Sequence, residues 1–474
     1  MEIIHVAAEC YPVAKAGGLG DVVGALPKYL NQSGHIAKVV MPMYLTKFLY
    51  ENQWEVVHKG YTHMGNWWFN YTVIRETTNK LGFDCYQVDI YGLLDREKIY
   101  GYGDDAERFT AFQIAVVDWI AAWKHRPDII HVHDHHTGLI PFMLKYCYAY
   151  AHLKDIPTIL TIHNAQYQGQ MGWDKSHYLP AWDTWKGGLL EWNGCINPLA
   201  SGIKCAWKVT TVSPTYLEEM RQNANGLHAL LEYEKGKCSG ILNGIDTHVW
   251  DPAVDRYFDR HYSLTDFDRG KAENKQLLCE RFNLDPKKPL ITFIGRLVED
   301  KGADLLPQAI EDSFYYIGRK MNFLVLGSGR HWIEGRLKAV KGLSRGDYDV
   351  FIGYDEALSH LIYAGADFIL MPSRVEPCGL NQMYAMRYGT LPIVRNTGGL
   401  HDTVIDYGEG HGRGSGIRFN HATVGDMTHG IWRAVELFQQ QKMLGEIRQR
   451  IMELDFSWES SVGHYLDLYA SAKS

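Results

Sequence analysis

One acid, two bases and a run of histidines follow apolar segments of this chain, where short loops begin. Glu376 lies in Arg374-Val375-Glu376-Pro377-Cys378-Gly379-Leu380, just past the apolar residues 368–371 and Pro372. A second run, 391–394, is followed by Asn396-Thr397-Gly398-Gly399. Arg296 and Lys301 share one loop after the run 290–294. In the first half, Lys15-Ala16-Gly17-Gly18-Leu19-Gly20-Asp21 separates a strand pattern from a helix pattern. It is neither a GxGxxG fingerprint nor a Walker loop. Its paired glycines let backbone N–H groups approach an anion, and Lys15 adds charge. Polar groups past strand ends, each ahead of a helix, are placed to bind ligands, and helix N-termini there favour anions. Taken alone, residues 376–379 also read as a stiff Pro-Gly turn with a solvated Glu, and the glycine loop as a tight turn.

The segment 131–136 places His131, His133, Asp134, His135 and His136 together. Alternation puts His131 and His133 on one strand face, and no His or carboxylate follows at helical i+4 spacing. We therefore assign no metal there; polar residues at a strand's C-terminal end suit a sugar or nucleotide contact. His163 and Asn164 end the next strand, 158–162; a structural histidine is the alternative. Two literal DxD matches, Asp266-Phe267-Asp268 and Asp347-Tyr348-Asp349, fall in polar stretches and are expected to be solvated.

The elements that must position these groups form two βα series. In the first, strands are expected at 3–8, 39–43, 129–133, 158–162 and 209–212. Alternating segments over 54–88 read as a hairpin-rich insertion, and 106–123 as a helix. Residues 166–193 form a long connection rich in Trp, Tyr and Gly, suited to a binding loop. The polar, Pro-containing stretch 246–257 is the expected linker. The second series has strands at 290–294, 322–326, 350–352, 368–371 and 391–394. A last helix from Ser457 carries Trp458, Val462, Tyr465, Leu466 and Tyr469 on one face. Two such series imply an α/β chain of two doubly wound sheet domains facing a cleft, residues 1–245 and residues 246–456.

Composition narrows the partners. The 474 residues allow two or three cores. A formal net charge of −7, with no basic run, gives no support to nucleic acid. The eight cysteines form no CxxC pair, which fits a reduced, cytoplasmic compartment. The apolar helix near 111–123 is broken by Asp118 and too short for a bilayer, so no membrane role is expected.

Six motifs occur in order: Lys-x-Gly-Gly-Leu-x-Asp at 15–21, His-Asp-x-His at 133–136 and Thr-Ile-His-Asn at 161–164, then Leu-Asn-Gly-Ile-Asp at 242–246, Gly-Arg-Leu at 295–297 with Lys301-Gly302, and Arg-x-Glu-Pro-Cys-Gly-Leu at 374–380. Together they resemble bacterial glycogen synthases and plant starch synthases, family 5 glycosyltransferases, over nearly the whole chain. The resemblance implies a GT-B fold with two Rossmann-like domains and a deep cleft, the first domain rejoined by the C-terminal helix 457–474. It implies transfer of glucose from a nucleoside diphosphate glucose, ADP-glucose in the compact bacterial form, to the nonreducing end of an α-1,4-glucan with retained configuration. Nothing in the residues themselves distinguishes adenine from uracil, and the oligomeric state stays open.

On that resemblance, Arg296 and Lys301 bind the donor diphosphate and Glu376 faces the donor sugar. His163 lies by the reacting glucose, and Lys15 lies near the donor. Asp21, Asp134 and Asn243 hydrogen-bond in the pocket. Gly18, Cys378, Gly379, Leu380 and Thr397 complete it, and Tyr354 stacks on the base. No cofactor and no metal is implied, since two fixed cations can stabilise a leaving diphosphate. Many retaining transferases carry Glu-x7-Glu, whereas position 384 here is Tyr, as in the glycogen synthase group. That leaves no evident protein nucleophile and favours front-side attack within an ion pair. His135 stands where the family often has Trp, and Asn381 where it more often has Thr. The competing readings are a UDP-glucose-dependent synthase, a phosphorylase or epimerase on the same fold, and a non-catalytic glucan-binding protein. A phosphorylase would need a Schiff-base lysine for its cofactor, of which the sequence gives no independent sign, and Lys15, His163, Arg296, Lys301 and Glu376 together argue against a non-catalytic protein.

Overall fold

The unbroken apolar runs read from the sequence are parallel strands with both faces covered, which is why they do not alternate with polar residues. The structure is a computed structural model and describes residues 1–409 and 412–473. The chain divides into two units, one of residues 1–241 with 458–474 and the other Leu242–Ser457.

The first unit holds β1 (Glu2–Val6), β2 (Ile36–Pro42), β3 (Trp54–Met64), β4 (Trp67–Glu76), β5 (Asp84–Asp89), β6 (Ile129–His133), β7 (Thr158–Ile162), β8 (Glu191–Trp192), β9 (Cys195–Ile196), β10 (Lys208–Thr211) and β11 (Cys238–Gly240). β8 and β9 form a separate two-stranded sheet; the rest form one sheet in the order β11-β10-β7-β6-β1-β2-β5-β4-β3. All neighbours run parallel except β3/β4 and β4/β5, the expected hairpin insertion. The long connection is not featureless: it contains short 3-10 turns at Trp173–Tyr178 and Thr184–Leu189 besides β8 and β9.

The second unit holds β12 (Leu290–Ile294), β13 (Asn322–Gly327), β14 (Tyr348–Ile352), β15 (Phe368–Met371), β16 (Leu391–Arg395) and β17 (Ile417–Phe419). They form an all-parallel sheet in the order β14-β13-β12-β15-β16-β17. In chain order that is 3-2-1-4-5-6, the doubly wound dinucleotide-binding arrangement. The parallel part of the first sheet repeats it, starting from β5-β2-β1-β6. Each unit therefore has one switch point, where strand order reverses and a crevice opens past the strand ends. These lie between β1 and β6, and between β12 and β15.

Each unit buries its own core. Helix Trp458–Lys473 lays Trp458, Val462, Tyr465, Leu468 and Tyr469 against Ile3, Leu26, Tyr29, Ile129 and Ile159 of the first unit. In the second, Phe293, Val325, Ile369, Ile393 and Ile417 carry the core across the sheet. Among the described residues no helix is long and apolar enough to cross a membrane.

One sequence expectation fails here. Asp347-Tyr348-Asp349 is not solvated: it enters β14 with both acids buried. Asp347 pairs with Lys288 and with Arg319 at 3.1 Å, and Asp349 with Lys341 at 2.7 Å. Charged neighbours remote in sequence neutralise what reads locally as a polar loop. Asp266 and Asp268 do stand at the edge of helix Phe267–Phe282, Asp266 accepting from Ser263 N and Arg269.

Candidate active site

Loops beyond β12, β15 and β16 build the site of the second unit. The β12 loop turns through a 3-10 segment, Glu299–Lys301, and leaves it at Gly302, whose φ is +67°. A Cβ at Gly302 would lie 2.3 Å from Pro372 O, so only glycine lets this loop touch the end of β15. Arg374 then bridges the loops. Its guanidinium meets both oxygens of Asp304, at 2.6 and 2.8 Å, and its N–H donates to Asp300 O. On this frame Lys301 Nζ contacts both Glu376 oxygens at 2.7 Å, and Ser373 Oγ donates to Oε2 at 2.8 Å. Glu376 is 7% exposed and Lys301 25%. Two of the three ammonium donors are thus engaged and one remains for a ligand.

The β16 loop closes on the same carboxylate segment. Gly399 N donates to Glu376 O and Pro377 O, both at 3.1 Å. Cβ atoms at Gly398 and Gly399 would sit 2.0 Å from Glu376 O and Cys378 O. Thr397 is buried ahead of the short helix Gly398–Thr403. The Cys378 thiol is buried and its pKa rises to about 12, with the Asn243 backbone opposing the rise. Asn243 is buried as well, and its Oδ1 has no hydrogen-bond partner. Gly379 has φ +73° and precedes Leu380 and helix Asn381–Arg387. Arg296 is exposed and makes no ion pair among the described residues; Tyr354, past β14, is 84% exposed. Tyr384 lies flat on Trp250, with centroids 3.7 Å apart, and Trp250 in turn stacks on His360. The ring at the second Glu position of other transferases therefore serves packing.

The first unit gathers Lys15, Gly18, Asp21, Asp134 and His163 on the loops after β1, β6 and β7. Lys15 Nζ contacts Asp21 Oδ1 at 2.6 Å, and burial of Asp21 raises its pKa despite that lysine. The anion expected at the glycine loop is in part the protein's own. Buried Glu9 accepts from Ala16 N at 2.6 Å and Gly17 N at 2.8 Å, and Tyr100 OH donates to its other oxygen. Of the paired glycines expected to offer N–H groups to an anion, Gly17 is therefore already engaged. Gly18 opens helix Gly18–Gln32, and a Cβ at Gly17 or Gly18 would meet nothing within 4 Å. The space in front of this helix is open.

Asp134 holds a conformation almost reserved for glycine, φ +57° and ψ −172°. Three contacts hold it: its N–H donates to Thr161 O, and its Oδ1 accepts from His163 N at 2.7 Å and Asn164 N at 3.4 Å. Burial lifts the Asp134 carboxyl to about 7 against those two donors. His163 is buried, which lowers its pKa to about 3. Its Nε2 lies 3.0 Å from His133 Nδ1. His135 Nδ1 meets Tyr167 O at 3.1 Å, and burial takes its pKa to about 4.

Sequence reasoning missed His5 and Glu9. His5 joins His131 and His133 in a buried group in which one nitrogen from each ring lies within 4.8 Å of the other two, a metal-compatible cluster. Five of these six nitrogens already have hydrogen-bond partners; only His5 Nε2 does not. A lone histidine inside the apolar β1 was the available signal.

Comparison with known proteins gives these loops a context. Residues 2–233 match the family model described as starch synthase catalytic domain, and residues 274–446 that of glycosyl transferases group 1. The chain is 54% identical to the glycogen synthase of Flavobacterium johnsoniae, over 99% of this chain and 98% of that one. It is 38% identical to a glycogen synthase of Streptococcus pneumoniae, over 99% of both. The catalytic domain of starch synthase IV from Arabidopsis thaliana, bound to ADP and acarbose, superposes with a TM-score of 0.87, 31% identity and 99% coverage of both chains. A sucrose-phosphate synthase from Thermosynechococcus elongatus shares the fold at TM-score 0.63 and 17% identity, over 99% of each chain.

Proposed function

The chain belongs to the glycogen synthase and starch synthase family of GT-B glycosyltransferases, and from that premise we propose that it moves glucose from ADP-glucose to the nonreducing end of an α-1,4-glucan with retention, in the cytoplasm. The observation that carries the reading is the Lys301–Glu376 pair at the switch point between β12 and β15. It sets a carboxylate and an ammonium with one spare donor where an open α/β sheet takes its ligand. The ADP held by the Arabidopsis relative supports the choice of adenine.

In this mechanism Lys301 and Arg296 face the diphosphate. As the glycosidic C–O bond breaks, negative charge grows on the leaving phosphate, and two positioned cations lower that energy without a metal ion. Glu376 faces the positive charge developing on the sugar. No second acid stands at position 384, since Tyr384 is packed on Trp250. A protein-bound glucosyl intermediate therefore has no carboxylate to form on there, and the acceptor hydroxyl attacks from the face the diphosphate leaves. Asn243 Oδ1, buried and unpartnered, suits a sugar hydroxyl. Cys378, Gly379, Leu380 and Thr397 wall the donor, and Tyr354 is an exposed ring for the base. In the first unit, which we take as the acceptor side, Lys15, Gly18, Asp21, Asp134 and His163 supply the remaining contacts. We take residues 246–456 as the nucleotide-sugar domain.

The test is incubation with glycogen and labelled ADP-glucose or UDP-glucose. Incorporation from ADP-glucose, released by an α-1,4-specific amylase, is expected. Incorporation from UDP-glucose alone would overturn the donor assignment, and none from either would overturn the reading.

A further inference from the structure

Behind His163 stands a file of imidazoles that the reaction as described does not use. His163 Nε2 lies 3.0 Å from His133 Nδ1, and His133 Nε2 lies 3.2 Å from His5 Nδ1. His131 stacks on His133 at 4.4 Å between centroids and 16° between planes. It is pinned by Thr161 Oγ1 at 2.6 Å and Tyr469 OH at 2.8 Å. His5, His131 and His133 are fully buried, and His5 Nε2 has no partner.

A neutral imidazole carries one N–H and one lone pair, so three rings in file have only two consistent settings. In one, His5 Nδ1–H donates to His133 Nε2, His133 Nδ1–H donates to His163 Nε2, and His163 presents Nδ1–H. The unpartnered atom is then a lone pair on His5 Nε2. In the other, every proton is reversed, His163 presents a bare Nδ1, and His5 Nε2–H is a buried donor with no acceptor. Among backbone groups a buried N–H without an acceptor is rarer than an acceptor short of a donor, and the same preference applied to the ring nitrogens favours the first setting. We propose that His5 and His133 are positioning residues that lock His163 in the Nδ1–H form, so that it offers the sugar a hydrogen-bond donor and neither a base nor an acceptor. The proposal rests on the reading of His163 as a sugar-facing group. His5 sets the direction of the file, His133 transmits it, and His131 holds the middle ring in plane.

The experiment uses the full chain labelled with 15N-histidine. Long-range 1H–15N correlation at neutral pH, with His163 assigned by the loss of its signals in His163→Asn, reads the tautomer directly. Wild-type protein is expected to show His163 protonated on Nδ1; protonation on Nε2 overturns the proposal. In His5→Leu the group that donates to His133 Nε2 is gone, and a water reaching that atom can either donate or accept, so the direction is no longer imposed. His163 should then show both forms, with kcat/KM for donor lower in proportion to the Nδ1–H fraction that remains, about twofold where the two are equally populated. His5→Asn, whose amide nitrogen falls near the former Nδ1, should restore both the tautomer and the rate. A His5→Leu protein with wild-type tautomer, or His5→Asn behaving as His5→Leu, refutes the role. If His5→Leu fails to fold, the wild-type tautomer and His5→Asn still decide. A protein that transfers no glucose yet shows the Nδ1–H form refutes the function and leaves the imidazole file standing.

Discussion

Removing Lys301 and removing the charge of Glu376 should have similar effects on catalysis and unequal effects on stability. The carboxylate is 7% exposed and the ammonium 25%. In Lys301→Ala the buried carboxylate keeps only the Ser373 hydroxyl at 2.8 Å. Stranding one member of a buried pair costs about 3–5 kcal/mol when no water reaches it. Water entering by Lys301's quarter exposure, together with the Ser373 bond, reduces this to about 2 kcal/mol. In Glu376→Gln the amide oxygen still accepts, and the lysine can turn its charge to solvent, so the loss stays within about 1 kcal/mol. A ~2 kcal/mol loss moves a urea midpoint by roughly 1 M at ordinary denaturant slopes. Titrations followed by circular dichroism and by tryptophan fluorescence should show Lys301→Ala clearly below Glu376→Gln. Glucose incorporation should fall by on the order of 10²–10³ in Lys301→Ala and strongly in Glu376→Gln. Equal midpoints, or a Glu376→Gln protein less stable than Lys301→Ala, would refute the claim that the lysine compensates a buried charge. Wild-type turnover in either variant would remove that residue from the reaction.

Arg296→Ala should lose activity on the same scale as Lys301→Ala with an unchanged midpoint, because the side chain is exposed and unpaired; a destabilised variant would contradict that placement. Chelation with EDTA should leave incorporation nearly intact, and loss reversed by Mg²⁺ or Mn²⁺ would refute the role given to the two cations. Stability should fall as pH drops below about 6.5, since burial lowers His5 and His163 to about 3 and depresses His131, His133 and His136 too. The unfolded chain then takes up protons that the native protein refuses, at about 1.4 kcal/mol per pH unit for each ring. Asp134, raised to about 7, and Asp21 and Asp89, also raised by burial, act with the opposite sign below neutral pH, but they are three carboxyls against five imidazoles; equal urea midpoints at pH 7.5 and 5.5 would refute this. Asp134→Gly should be more stable than Asp134→Ala by about 1 kcal/mol or more, because both lose the anchor to His163 but only glycine adopts φ +57° without strain; the reverse order in urea would show that the backbone relaxes.

The parts of the fold that rest on local pattern were legible in the sequence. Runs such as 290–294 and 158–162 are parallel strands because nothing but burial on both faces explains five apolar or β-branched residues in succession. The last helix was legible because its large side chains recur at helical spacing. What required the fold were contacts between distant segments. Glu9 reads as an acid at a strand end, and only the turn of residues 10–17 shows it occupying N–H groups expected to be free. Asp347 looked solvated because Lys288 and Arg319 are far away in sequence. Arg296, Lys301 and Glu376 stood out by their loops after strand ends, but the contact between Lys301 and Glu376 depends on β12 lying beside β15. That pairing skips two intervening strands.

The return of helix Trp458–Lys473 to the first unit has a consequence for biosynthesis. Ile3, Leu26, Tyr29 and Ile129 are translated before Leu242–Ser457, yet the side chains that cover them are translated after it. Leu242–Ser457 is contiguous and can complete its own core while synthesis continues. The amino-terminal sheet must wait through that whole interval with an apolar face uncovered. A message cut short just before residue 458 would release a chain whose second unit is finished and whose first is open, a species that chaperones and proteases would meet before any substrate does.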